Sequence, residues 1–225
     1  MNGATGVGVE ISASDAGWLV ALLDRMALER QNLTAIDDID DGVDRHLIDS
    51  LVAVALPEVA QAERLVDIGS GGGMPGIPLA RVRPTCSVTL VESERRKCEW
   101  LTRASAELPN VRVVADRTET LGTGEREAWD VATARAVAAT PSLLELAAPL
   151  VRVGGALVAW RGPSDAEPTD GDHKAARMVG FRWDRAVAST PFPGAERWLC
   201  VWRKAEATPD RFPRRPGRAT KRPIA

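Results

Sequence analysis

A glycine-rich turn lies between an apolar strand and a helix in the segment Leu65–Leu79. The strand carries Asp67, and the turn contains the spacing Gly71-x-Gly73-x-x-Gly76. Glycine allows a positive φ and lets a ligand approach the backbone where a side chain would collide. The following helix offers free N–H groups and the positive end of its dipole. These residues predict a site for a nucleotide-like cofactor.

Two details favour S-adenosylmethionine in this turn, although the glycine spacing alone also fits a dinucleotide. Asp67 stands inside the strand two residues before Gly69, which is typical of Rossmann-type methyltransferases. Pro75 and Pro78 remove backbone donors that a pyrophosphate would use. Glu92, at the end of the next strand, can accept hydrogen bonds from the ribose of either cofactor. NAD or another nucleotide therefore remains the alternative.

The residues around the turn alternate between strands and helices. Strands are predicted at 64–68, 87–91, 111–115, 129–133 and 156–160, followed by a closing antiparallel pair at 181–188 and 197–202. This alternation predicts an α/β fold of the Rossmann-type class I methyltransferases. Its seven-stranded, mostly parallel sheet is expected to carry helices on both faces, with the ligand at the carboxyl ends of the strands.

We divide the chain into four segments. They are a loose N-terminus (1–14), an N-terminal helical extension (15–62), an S-adenosylmethionine-binding methyltransferase domain (63–204) and a basic C-terminal tail (205–225). Within the extension, apolar residues at helical spacing predict a helix at 15–32. The aspartate-rich residues 36–44 predict an acidic loop, and residues 46–56 predict a second helix.

Composition narrows the class of protein further. The three cysteines are far apart and there are only two histidines, so no metal site is expected and a reducing compartment is indicated. No signal peptide is recognisable, and no apolar run reaches the roughly 20 residues that span a membrane. We expect a soluble, cytoplasmic protein without membrane contact, and a monomer by default.

The tail is the most basic part of the chain. From Arg203 to Ala225, eight basic and two acidic residues give a charge of +6. Because the net charge of the whole chain is −2, the remaining residues carry a charge of −8. A basic tail on an acidic body can contact phosphates. The alternative is a solvated, disordered terminus.

Two kinds of methyl acceptor are disfavoured because the residues that they require are missing. No cysteine lies near the fourth strand to attack a pyrimidine carbon, and residues 131–136 lack the Asn/Asp-Pro-Pro-aromatic motif of amine methylation. Guanine N7 fits what remains, because its lone pair needs no general base and only in-line positioning. Arg135, at the carboxyl end of the sheet, is the candidate positioning residue. The alternative for Arg135 is a purely structural role.

Several segments together resemble the RsmG (GidB) family, the 16S ribosomal RNA guanine-N7 methyltransferases. The matching segments are 32–34, 45–50, 67–79, 134–136, 160–162, 196–197 and the tail from 213 to 224. The resemblance covers nearly the whole chain and implies methylation of guanine 527 in the usual rRNA numbering.

The resemblance also implies site residues. Gly69 and Met74 would line the cofactor together with Gly71 and Gly73 of the turn. Glu92 would hold the ribose, Thr118 and Glu119 would lie beside the adenosine, and Arg135 would complete the pocket. Candidate RNA contacts are Arg45, His46, Arg161, Arg211, Arg214, Arg215, Arg218, Lys221 and Arg222. For His46, helix packing is an equal alternative to a lid or RNA role.

Two other functions stay open at this point. The same fold serves small-molecule methyltransferases, and a nucleotide-binding regulator without catalysis would also need the turn. The sequence does not distinguish naked 16S rRNA from an assembly intermediate or the whole small subunit as the substrate.

Overall fold

The computed structural model describes residues 10–29, 33 and 39–224. Its strands are β1 (Arg64–Ile68), β2 (Ser87–Glu92), β3 (Val111–Ala115), β4 (Trp129–Arg135), β5 (Val151–Arg161), β6 (Phe181–Ser189) and β7 (Arg197–Lys204). Its helices are α1 (Ala13–Ala27), α2 (Ile39–Gly42), α3 (Asp49–Leu51), α4 (Pro57–Ala60), α5 (Gly76–Val82), α6 (Arg95–Ala104), α7 (Thr118–Gly124), α8 (Thr140–Ala147), α9 (Asp170–Met178) and α10 (Arg218–Lys221).

All seven strands form one sheet in the order β3-β2-β1-β4-β5-β7-β6. The pairs among β1 to β5 are parallel, and β7 runs antiparallel to both β5 and β6. The predicted seven-stranded, mostly parallel sheet is therefore confirmed. Central strands such as β1 are buried on both faces, as expected where helices cover the two sides.

Each face of the sheet supports its own apolar core. One core joins α5, α6 and the N-terminal extension to the sheet through residues such as Leu22, Leu65 and Leu101. The other joins α7, α8, α9 and the C-terminal segment, and it includes Leu144 and Phe212. The extension and the C-terminal segment thus lie on opposite faces of the sheet.

The extension differs from its prediction in one respect. A helix begins at Ile39, so most of the predicted acidic loop at 36–44 is helical, while residues 36–38 lie outside the described part of the chain. A π-helix at Val43–Ile48 and a 3-10 turn at Val52–Ala55 continue this helical run. Buried Leu47 and Leu51, four residues apart, continue the apolar face and account for the continuity.

The C-terminal segment, which we define as residues 205–224, is folded. Phe212, Ala219 and Ile224 are buried on the α8 face of the sheet. Arg126 donates to the Phe212 carbonyl at 2.7 Å, and the Ser142 hydroxyl donates to the Ala219 carbonyl at 2.9 Å. The alternative of a solvated, disordered terminus is therefore wrong.

The described part of the chain has neither a membrane-spanning helix nor a cluster of metal-binding side chains. Across residues 10–29, 33 and 39–224, no helix is both long and apolar enough to cross a bilayer. The same residues contain no group of three or more histidine, cysteine or acidic side chains placed to bind a metal ion.

We predict that Gly180→Ala destabilises the fold more than Gly194→Ala. Both glycines have a positive φ, +83° and +79°, which costs a residue with a Cβ about 1–2 kcal/mol. At Gly180 the added Cβ would also lie 2.3 Å from the Glu206 carbonyl oxygen, whereas at Gly194 it meets open space. Equal free energies of unfolding for the two variants in denaturant titrations would contradict this packing of the C-terminal segment.

Candidate functional site

The register of the sheet places three predicted site residues at one edge. Ile68 of β1 pairs with Val91 of β2, and Asp67 pairs with Thr133 of β4. Counting onward in each strand brings Gly69, Glu92 and Arg135 to the same level. The carboxyl end of the sheet is where open α/β folds bind ligands, so the structure brings the turn and both charged side chains together there.

The turn after β1 depends on its glycines. Gly69, Gly71 and Gly73 have φ values of +64°, +55° and +101°. A Cβ on Gly73 would lie 2.5 Å from the Ile77 side chain, whereas a Cβ on Gly71 would meet nothing closer than 3.8 Å. Gly73 is therefore required for packing, while the backbone at Gly71 borders open space that a ligand can approach.

Glu92 is fixed against this turn by backbone amides. Its Oε2 accepts the Gly71 N–H at 3.0 Å, and its Oε1 accepts the N–H groups of Ser93 and Glu94 at 2.7 and 2.8 Å. A carboxylate offers about four acceptor positions, so room remains on Oε2 for one ribose hydroxyl. The arrangement fits a nucleoside held between Gly71 and Glu92.

Asp67 supports the turn from below and does not reach its surface. The side chain is fully buried, and its Oδ1 accepts the Thr133 hydroxyl at 2.8 Å. A Cβ on Gly76 would lie 2.8 Å from Asp67 Oδ2, so the carboxyl packs against the start of α5. Burial raises the pKa of Asp67 to about 6.

Met74 connects the turn to the extension. Its side chain is buried, and the Ser50 hydroxyl lies 3.9 Å from its sulfur. The Trp100 indole donates to the Gly72 carbonyl at 3.0 Å from the α6 side. The turn is thus held by groups from both α6 and the extension, and the cofactor-lining role of Met74 stays a prediction.

Arg135 ends β4 and bonds to the extension. Its Nη1 donates at 3.0 Å to both Asp49 Oδ2 and the Arg45 carbonyl. Arg197 of β7 places its Nε 3.2 Å from Asp49 Oδ1. Asp49 is only 3% exposed. Its carboxylate therefore holds two arginines from different strands at the edge of the site.

His46 lies beside this cluster as an uncharged side chain. Burial, together with the positive charge of Arg135, lowers the pKa of His46 to about 4. At neutral pH the ring is therefore no cation for a phosphate, although it keeps its hydrogen-bonding capacity. Arg45 is about half exposed and pairs with Asp41 at 3.5 Å, so it remains the candidate RNA contact of the extension.

Glu119 points toward the C-terminal segment. α7 begins at Thr118, directly after the loop that follows β3. Glu119 is 6% exposed, and its Oε1 accepts the Gly217 N–H at 2.7 Å. Thr118 and Glu119 were expected beside the adenosine, and the structure shows that one carboxylate oxygen of Glu119 is occupied by the chain itself.

The basic residues predicted to contact RNA differ in their exposure to solvent. Arg161 donates to the Ala138 carbonyl at 3.0 Å, and burial lowers the pKa of its guanidinium. Arg214 forms a bidentate ion pair with the buried Glu145, with N–O distances of 2.6 and 2.5 Å. Because its guanidinium is already paired within the chain, Arg214 is no longer a candidate RNA contact. The basic residues of the C-terminal segment that stay exposed are Arg211, Arg215, Arg218, Lys221 and Arg222.

Sequence reasoning gave no role to three residues of this region. Asp49, Arg197 and Glu145 are charged groups whose partners lie 69 to 148 positions away in the sequence, and no local pattern reports such pairs. The available signal was their position: Asp49 and Arg197 both lie in segments that carry the family resemblance, and Glu145 interrupts an apolar helix.

The family model for rRNA small subunit methyltransferase G (GidB) matches residues 18–190. The chain belongs to this family. A curated relative from Deinococcus radiodurans, "Ribosomal RNA small subunit methyltransferase G", is 39% identical over 99% of this chain and 90% of its own length. A relative of the same name from Chloroflexus aggregans is 40% identical over 98% of this chain and 94% of its own. The predicted family is confirmed.

Solved structures support the fold at lower identity. MtNAS in complex with MTA and tNA has a TM-score of 0.59 at 18% identity, covering 84% of this chain and 71% of that chain. A 16S rRNA (adenine(1408)-N(1))-methyltransferase from Catenulisporales acidiphilia has a TM-score of 0.53 at 16% identity, covering 68% and 90%. The predicted class I methyltransferase fold is confirmed.

We predict that Asp67→Asn changes how stability depends on pH. The folded pKa of about 6 exceeds the ordinary 3.8, so the folded protein keeps a proton that the unfolded chain loses between these values. The stabilisation by protonated Asp67 is therefore present below pH 4 and lost as the pH rises through 6. From pH 4 to 7, wild type should lose about 2 kcal/mol relative to the variant in urea unfolding.

Asp130→Asn is the matched control. Hydrogen bonds from Arg152 and from two backbone amides outweigh burial and lower the pKa of Asp130, so the wild-type advantage should grow with pH in that comparison. A pH-independent difference between wild type and Asp67→Asn would contradict the buried, proton-retaining Asp67.

Proposed function

We propose that this protein transfers a methyl group from S-adenosylmethionine to N7 of a guanine in 16S rRNA, at guanine 527 in the usual numbering. The observation that carries the proposal is the convergence of the glycine turn, Glu92 and Arg135 at one sheet edge in a chain of the rRNA small subunit methyltransferase G family. We place the protein in the cytoplasm, as a monomer acting on the small subunit or its assembly intermediate.

The cofactor fits the residues at this edge. S-adenosylmethionine supplies an electrophilic methyl group on its sulfonium. Gly69, Gly71 and Gly73 would let the backbone approach it, and Glu92 would accept a ribose hydroxyl on the free position of Oε2. Met74 and Thr118 would border it from the turn and from α7.

The chemistry asked of the protein is positioning. Guanine N7 carries a lone pair and no proton, so no general base is needed to create the nucleophile. The side chains at the site agree with this, because neither candidate is a good general base. His46 is a weak base, with a pKa of only about 4, and the carboxylate of Asp49 is paired with Arg135 and Arg197. Arg135 uses Nη1 for Asp49 and Arg45, so Nε and Nη2 can donate to the cofactor or to the base.

Affinity for RNA would come mainly from exposed cations. Arg45 lies on the extension, and the exposed basic residues of the C-terminal segment lie on the opposite face of the sheet. Contacts of such residues to phosphates release counterions, so binding should weaken as salt rises. An RNA spanning the carboxyl edge of the sheet would be contacted from both sides.

The direct test is methyl transfer to small subunits isolated from cells that lack the modification. Labelled S-adenosylmethionine is supplied with naked 16S rRNA, with assembly intermediates or with intact subunits, and N7-methylguanine is located by strand cleavage at the modified base. The proposal expects one product at guanine 527 in at least one of these substrates. Transfer to another base or another atom of guanine would contradict it.

We predict that Arg135→Gln lowers kcat/KM for methyl transfer by about 100-fold, the size of effect that a misplaced reacting group produces. Arg135→Lys keeps a charge near Asp49 but loses the planar fork, so its loss should be intermediate. Arg152→Gln is the control, because Arg152 is half exposed and pairs with Asp130 at the amino edge of the sheet. Kinetics of Arg135→Gln equal to those of Arg152→Gln would remove Arg135 from the site.

A further inference from the structure

One hydrogen bond joins the C-terminal segment to the first turn of α7. The Gly217 N–H donates to Glu119 Oε1 at 2.7 Å, and the Glu119 side chain is buried. Gly217 has φ +76° with open space around its Cα, so a left-handed turn aims this N–H inward. The contact links residues that are 98 positions apart.

The segment is fixed on both sides of Gly217. Before it, Arg214 pairs with the buried Glu145 of α8 and also donates to the Arg222 carbonyl at 2.7 Å. After it, the Ala219 carbonyl accepts from Ser142 of α8. With these contacts in place, Gly217 has a defined position, and its N–H constrains the Glu119 carboxylate.

We propose that Glu119 is a positioning residue, whose carboxylate accepts from Gly217 and so holds the start of α7 in place beside the adenosine. The Glu119 side chain is then an anchor for the C-terminal segment and not a ligand of the cofactor. The inference rests on the proposed placement of the adenosine beside Thr118 and Glu119.

The two roles make different demands on the side chain. An anchor needs only an oxygen that accepts the Gly217 N–H, and glutamine provides one at nearly the same position. A charged cofactor ligand needs the carboxylate itself. Glu119→Gln therefore separates the roles, while Glu119→Ala removes the acceptor and leaves the partly buried Gly217 N–H without its partner.

The experiment measures the Kd of S-adenosylhomocysteine by calorimetry and the rate of tryptic cleavage within residues 211–222 without ligand. Glu119→Ala should weaken binding about tenfold, the effect of about 1.4 kcal/mol, and should speed cleavage. Glu119→Gln should stay within about twofold of wild type in both measurements. Glu206→Gln, an exposed change in the same segment that lies outside the cleaved residues, controls for altered charge and should leave both unchanged.

Gly217→Ala provides a second approach if Glu119→Ala does not fold. It keeps the N–H and all buried side chains but strains the left-handed turn, so binding should weaken and cleavage should speed up to a smaller extent. Equal losses of affinity in Glu119→Gln and Glu119→Ala would overturn the inference and make Glu119 a direct ligand.

Faster cleavage with unchanged affinity in Glu119→Ala or Gly217→Ala would also overturn it, because the segment would then be anchored away from the cofactor. The methyl-transfer assay on small subunits uses the wild-type protein with this anchor intact, so its outcome tests the proposed function separately.

Discussion

The buried carboxylate of Asp49 is the constraint on which the proposed site depends. It accepts from Arg135 at 3.0 Å and lies 3.2 Å from Arg197, while its own backbone carbonyl accepts from the Trp160 indole at 2.7 Å. Losing one partner of a buried ion pair costs about 3–5 kcal/mol, since a charge is left uncompensated. The N-terminal extension that carries Asp49 is therefore a structural part of the site.

The ion pair between Asp49 and Arg135 also explains how the side chains at the carboxyl end of the sheet are oriented. The turn after β1 and Glu92 provide a cradle from short-range backbone contacts, whereas the orientation of Arg135 comes from a side chain on another element. Ala136, which follows Arg135, has φ +56°, a conformation that requires support from its surroundings. The extension supplies that support through the contacts of Asp49 and Arg45 with Arg135.

The elements that sequence reasoning predicted well are those encoded locally. The glycine turn, the five parallel strands and the closing antiparallel pair follow from residue type and periodicity within short windows. The pairing of Asp49 with Arg135 and of Glu119 with Gly217 joins distant positions, so no periodicity reveals it. Charge counting also overstated the cations of the C-terminal region, because Arg203, Lys204 and Arg214 are paired with acidic side chains.

A double-mutant cycle between Asp49 and Arg135 tests the account most directly. kcat/KM for methylation of unmodified small subunits is measured for wild type, Asp49→Asn, Arg135→Gln and the double variant, with folding checked by denaturant unfolding. If Asp49 acts by holding Arg135, the double variant should be no slower than Arg135→Gln, which corresponds to a coupling energy of about 2 kcal/mol or more between contacting residues. Additive losses would show that the two residues act independently and would contradict the account.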